Sequence, residues 1–158
     1  MSIATTVGDA LEFEGIEFRV LRPLPTDSTA EELRRLGVEP DGCAKAVLLK
    51  DAHGYVLTVT AANRVPDIDI LRQELHRSLV RAEDVDLDDL FCDCTVGCVP
   101  PLGPWYRIPT VVDSSLRKQA KIYFEAGEPC SLVQVTEQSF EKLLDGAEYF
   151  AFSRRVGS

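Results

Sequence analysis

AKAVLLKDAHGYVLTVT (residues 44–60) is the stretch whose reading decides the fold class. Its two apolar runs, AKAVLLK (44–50) and YVLTVT (55–60), read as strands, and Asp51, Ala52, His53 and Gly54 make the turn between them. Upstream, EFRVL (17–21) alternates and predicts a strand, while Ile3, Val7 and Leu11 form a helical stripe over 3–13. Ser28 followed by Glu31 signals a capping box, and the helix AEELRRLG runs to Gly37 as its C-cap. Downstream, Asp67 caps a helix that buries Ile68, Leu71 and Leu75. A short helix spans EDVDLDDLF (83–91). RIPTVV, KIYFE and SLVQV are three more strands, and a helix from Thr136 to about Asp145 is closed by Gly146. AEYFAF (147–152) is a last strand or a helix extension. Strands outnumber helices and do not alternate strictly with them. The expectation is α+β, a single domain over 1–158 with a mixed, mostly antiparallel sheet flanked by helices.

Composition narrows the function classes. The 158 residues are 45% hydrophobic and 27% charged, enough apolar surface to offset the entropy of ordering a core. No apolar run reaches 18 residues, and the start lacks the basic and apolar regions of a signal peptide, so a cytoplasmic protein is expected, without a membrane partner. A net charge of −9 repels phosphate backbones at long range, which disfavours a broad, sequence-blind nucleic-acid binder and leaves room for a small basic mouth. Neither a G-x-G-x-x-G nor a G-x4-G-K-[ST] motif occurs. Of the cysteines, Cys43, Cys92, Cys94, Cys98 and Cys130, three form C-x-C-x3-C, a poor match to structural zinc spacing. His53 and His76 lie far from them in sequence, so reduced, metal-free thiols are expected.

Three features carry possible chemistry. Lys45 opens an apolar strand; it is either an edge residue snorkelling to water or an ammonium aimed into a pocket. In the loop Gly97-Cys98-Val99-Pro100-Pro101-Leu102-Gly103, two glycines admit turns or close approach and two prolines stiffen the backbone. It reads either as a rigid crossover or as a set of N–H donors for a carbonyl or oxyanion. Asp113 either caps a turn or holds Lys45 or a ligand amine. No Ser-His-Asp, Cys-His or paired-carboxylate set stands out.

The motif order resembles a known family. STAEELRRLGVEPDGCAKAVLL (28–49), VGCVPPLGPWYRIPTVVDSSL (96–116), KIYFEAG (121–127) and SLVQVTEQSFEKLL (131–144) together look like the YbaK/prolyl-tRNA-synthetase-associated editing domain family, over about residues 25–146. The resemblance implies an α+β fold with a mixed, partly barrelled sheet. It implies a free-standing deacylase that hydrolyses the ester between a wrong amino acid and tRNA, Cys-tRNA(Pro) and Ala-tRNA(Pro) among the family's substrates. The aminoacylated tRNA 3′ end is the implied partner, with an aminoacyl-tRNA synthetase as a second one; no metal or other cofactor is implied. By position, Lys45 contacts the terminal adenosine or its phosphate. Gly97 and Pro101 end the G-x-x-x-P loop that receives the aminoacyl group, with Cys98, Val99 and Gly103 beside it, and Asp113 takes the family's acidic position. This chain departs at Ala46, where many members carry Thr, Ser or Asn, at Cys98, where Gly or Ala is commoner, and after Gly127, where some alanine-directed members have a histidine. Arg34, Arg35, Arg64, Arg72, Arg77 and Arg81 could form a local basic rim. The alternatives are a degenerate module that binds a small aminoacyl or nucleotide ligand in a regulatory role, and a metal-binding protein built on the cysteine cluster.

Overall fold

The computed structural model of the chain describes residues 3–21, 35, 37–95, 98–128 and 131–156. Helix α1 (Thr5–Phe13) follows the predicted stripe, with Val7 and Leu11 buried beside Ile3. Strand β1 (Arg19–Leu21) comes next. The helix expected over 30–37, with its Ser28/Glu31 box, lies largely outside the described residues; Gly37 has the positive φ of 70° that suits a C-cap glycine. The central stretch forms β2 (Cys43–Asp51) and β3 (Gly54–Ala61), antiparallel, with Asp51 opposite Gly54. Only Ala52 and His53 lie outside the two strands. Asp51 Oδ1 accepts from the N–H groups of His53 and Gly54, and Arg77 grips the carboxylate with two donors at 2.7 Å. The Arg77 guanidinium, against the cost of burial, holds this carboxyl well below the usual carboxylate range.

Strand β4 (Arg64–Pro66) leads into α2 (Ile68–Leu75), which Asp67 caps by accepting from Asp69 N and Ile70 N, as its position predicts. Strand β5 (Val80–Arg81) and helix α3 (Asp84–Leu90) follow. The strand expected over 107–112 starts only at Thr110, as β6 (Thr110–Asp113), because Arg107 turns the chain with φ 60°. KIYFE is β7 (Lys121–Glu125), and β8 (Leu132–Thr136) runs into α4 (Glu137–Leu143), capped by Thr136. AEYFAF resolves as a strand, β9 (Glu148–Phe150), followed by β10 (Ser153–Arg155).

The sheet order is β1-β8-β7-β2-β3-β6-β9, with β5 pairing β2 off this path and β10 pairing β4 as a separate ribbon. The β2/β7, β3/β6 and β6/β9 pairs are parallel and the others antiparallel, the mixed α+β sheet expected. One face of the central strands (Ala44, Val59, Val112, Phe124) packs on α1 and on Phe140 and Leu143 of α4. The other (Leu49, Val56, Val111) packs on Leu71 of α2 and on Leu79 and Phe152. Each fully buried Phe or Leu here contributes about 1.5–3 kcal/mol of transfer free energy, so both faces of β2 and β3 are fixed by burial.

Candidate active site

One side of β2 is paired along its whole length with β3. The other side is shared by two strands that do not meet. β7 covers it only at Cys43 and Ala44, and β5 only at Leu49 and Lys50. Among the described residues, no strand pairs with Lys45–Leu48 there. The direction of the backbone groups follows from ladder alternation. Cys43 O accepts from Ala62 N on the β3 side, whereas Leu48 O accepts from Ala82 N on the open side. Odd residues therefore bond to β3 and even ones point away, which aims the N–H and C=O of Ala46 into the opening.

The opening exists because the chain leaves β2 after Glu125. Ala126 O is taken by Ala4 N and Gly127 O by Thr95 N, so neither carbonyl continues the β7 ladder. Gly127 has φ 91°, and a Cβ on it would stand 2.6 Å from Ala4 Cβ; only glycine fits this turn.

The opening is a cleft of about 170 Å³ lined by Lys45, Ala46, Arg81, Asp84, Leu87, Val99 and Glu125 among others. Beyond Leu87 and Val99 lies a further hollow of about 80 Å³ that reaches Phe91, Cys94 and Thr95. A wider open groove of about 640 Å³ runs beside β1 along Phe18, Lys121 and Gln134, away from these residues. Lys45 Nζ and Glu125 Oε1 form an ion pair at the mouth of the cleft, with side chains 29% and 20% exposed. Lys45 is thus directed into a pocket rather than along a bare edge.

The α3 wall is pinned from behind. Asp86 accepts from Lys50 Nζ at 2.9 Å, Tyr55 Oη at 2.7 Å and Glu83 N at 2.9 Å. These donors, Lys50 foremost, pull its carboxyl down to about 2. In the inner hollow Cys94 Sγ lies 3.3 Å from Asp93 Oδ1 and 3.4 Å from Tyr106 Oη. Burial pushes its thiol up to about 12, so it is a neutral side chain and no nucleophile at pH 7. Burial alone would raise Asp93, but hydrogen bonds from Thr6, Tyr106 and Cys94 hold it below its ordinary value.

The other expected site residues are dispersed. Gly97 lies outside the described residues, as does Cys130. Cys98 is half-buried, and its N–H donates to Thr95 O at 3.0 Å, so that donor is spent on the turn. Val99 lines both hollows. Pro101 is buried and lines neither hollow. Gly103 faces the interior: a Cβ there would collide with the Thr110 hydroxyl, so this glycine serves packing.

Asp113 also lies outside the cleft. Its Oδ1 accepts from Phe152 N and Ser153 N at 3.0 and 3.1 Å, and its Oδ2 from the N–H and hydroxyl of Ser115. Burial opposes its charge, yet these donors keep it below its ordinary value. The carboxylate that holds Lys45 is Glu125, which sequence reasoning passed over; its signal was an acid closing KIYFE just before a small-residue turn. His53 at the hairpin tip and His76 at the end of α2 are exposed and outside the cleft. Among the described residues, no group of three or more His, Cys, Asp or Glu could hold a metal, and no helix is long and apolar enough to cross a membrane.

Residues 25–143 match the family model of the aminoacyl-tRNA editing domain. The chain belongs to that family. Its fold is shared with a protein proposed to be a trans-editing enzyme for prolyl tRNA synthetase, at TM-score 0.81 and 21% identity over 97% of this chain and 99% of the other. It is shared equally with a scaffold used for computational epitope backbone grafting, at TM-score 0.83 and 22% identity over 96% and 97% of the two chains. A Marinobacter aquaeolei VT8 protein described as acting in signal transduction contains it in 30% of its length, which aligns with 94% of this chain at TM-score 0.76 and 20% identity. At these identities the likeness establishes the fold.

Proposed function

We propose that the chain hydrolyses the ester of a mischarged aminoacyl-tRNA in the Lys45 cleft. The observation that carries this reading is the open side of β2, where an unladdered Ala46 N–H stands next to an ammonium. The ester carbonyl takes a hydrogen bond from Ala46 N–H, and a water attacks its carbon. Negative charge then develops on the carbonyl oxygen in front of a donor that needs no reorganisation. The carbon–oxygen bond to the terminal ribose breaks, and the departing oxygen takes up a proton. An ester is activated enough for positioning and a few donors to suffice.

Lys45, held by Glu125 until substrate arrives, meets the terminal adenosine or its phosphate. The loop from Gly97 to Pro101 receives the aminoacyl group in this reading, and Val99 and Leu87 bound its side chain. The cleft volume of about 170 Å³ favours small amino acids such as alanine, cysteine or serine. The partners are the aminoacylated tRNA 3′ end and, through it, an aminoacyl-tRNA synthetase in the cytoplasm.

The degenerate-module alternative draws on the Lys45–Glu125 pair, which already neutralises the ammonium. One experiment separates the two. Purified protein is incubated with a panel of Ala-, Cys- and Ser-charged tRNAs, and release of the amino acid is followed beside binding. Hydrolysis of at least one small aminoacyl ester, lost in Lys45→Ala, supports the deacylase; tight binding with no turnover on any member supports the module.

A further inference from the structure

A second pocket, of about 250 Å³, lies where β3 ends and is lined by Arg64, Arg155, Lys118, Gln119, Ser115 and Asp41 around Ala61. Three cations therefore converge on one hollow of a chain whose net charge is −9.

Two of them are set against each other by the backbone. In the β4/β10 ribbon, Arg64 is the direct cross-strand partner of Arg155. Like charges in such positions are destabilising unless something neutralises them. The acids nearby do this poorly. Asp41 is engaged by Asn63 Nδ2, and Asp113 Oδ2 lies 3.9 Å from Arg64 Nε while bound to Ser115. The described ion pairs leave Lys118 and Arg155 without an acidic partner.

Arg64 is also fixed in advance. Its Nε donates to Ser153 Oγ at 2.6 Å and its Nη2 to Ser153 O at 3.2 Å. A guanidinium has five N–H donors, so most remain for a ligand. A compact polyanion with several acceptor oxygens would satisfy Arg64, Arg155 and Lys118 together and remove the repulsion.

We propose that this pocket binds a phosphate group, carried by a nucleic-acid backbone or by a free phosphate. The site is independent of hydrolysis in the cleft. It is close to it all the same: Ala61 is the register partner of Ala44, the residue before Lys45.

The test has two arms. In the first, inorganic phosphate is titrated into the whole protein, and the arginine side-chain N–H signals and Tm are followed. The expected result is a shift of the Arg64 and Arg155 signals and a rise in Tm, with binding at least about tenfold weaker in the Arg155→Gln/Lys118→Gln double variant. In phosphate-free, low-salt buffer that variant is expected to melt no lower than wild type, because a repulsive pair is gone. In the second arm, an RNA hairpin with a single-stranded 3′ end and no esterified amino acid is bound at several salt concentrations. If the natural phosphate belongs to RNA, the double variant binds the hairpin more weakly, and its log–log salt slope is shallower by about 0.7–0.9 per lost contact. An unchanged RNA affinity beside an intact phosphate response assigns the site to a free phosphate. Identical phosphate titrations of wild type and double variant overturn the proposal. Since the RNA carries no ester, none of these results depends on deacylation.

Discussion

Two carboxylates each close a strand of the sheet, and they do opposite things. Asp113 at the end of β6 is 2% exposed, and three backbone N–H groups and a hydroxyl fill its acceptor sites. Glu125 at the end of β7 has a side chain 20% exposed, sits in a cleft and holds Lys45. The first ties β6 to the chain leaving β9 and has no acceptor left for a ligand. The second accepts from Lys45 and faces the cleft. A carboxylate saturated by local donors is a structural tie; one facing an unpaired strand side is available for chemistry.

Substitutions at the two strand ends should separate along these lines. The largest effect is expected at Lys45. Lys45→Ala should lower deacylation kcat/KM by about 10²-fold or more, the scale of losing a transition-state contact. Its half-exposed side chain fills no core, so Tm should stay close to that of wild type; early melting would show that the lysine is structural. Asp113→Asn should do the reverse. It replaces an acceptor by a donor among four donors and is expected to cost about 3 kcal/mol, roughly 6–12 °C in Tm for a domain of this size. Rate per folded molecule should be preserved, and a selective loss of rate would move Asp113 back into the site.

A smaller effect is expected from Val99→Ala, which joins the two hollows on either side of this side chain. Relative rates on larger aminoacyl esters should rise by about tenfold, within the range set by one or two methyl groups in a pocket. Unchanged preferences would place the amino-acid side chain elsewhere. The smallest effect concerns the α3 wall. Asp86 is depressed to about 2 in the fold, below its unfolded value of about 3.9. Its contribution is therefore fully present above pH ~4 and is lost as pH falls through about 2. The Tm gap between wild type and Asp86→Asn should narrow across that window, and a gap that widens on acidification would contradict the assignment.

What was legible in the sequence is what local chemistry decides. The hairpin over 44–60 announced itself by two apolar runs around a turn, Asp67 by its position before a helical stripe, and the strand within EFRVL by its alternation. The motif order also pointed to the family, because the spacing of several short signatures survives at low identity. The working geometry of the cleft was not legible. The open side of β2 depends on where β7 stops, and that depends on Ala4 taking Ala126 O and on Gly127 packing against Ala4, contacts made across most of the chain length. The β4/β10 ribbon with its facing arginines is equally non-local. Asp113 and Glu125 look alike in sequence, each an acid after a β-run; only the donors around them tell them apart. Gly103 is ambiguous in sequence for the same reason, since a glycine that admits a ligand and one that admits a threonine hydroxyl are the same letter.

In the proposed reaction the unladdered amide of Ala46 stabilises the reacting ester. Replacing Ala46 by lactic acid through semisynthesis converts that amide to an ester and deletes the N–H without adding a side chain. Single-turnover hydrolysis of a small aminoacyl-tRNA should then slow by about 10²-fold, with substrate affinity and Tm little changed. A rate equal to that of the all-amide protein would contradict the account and place the oxyanion donor elsewhere.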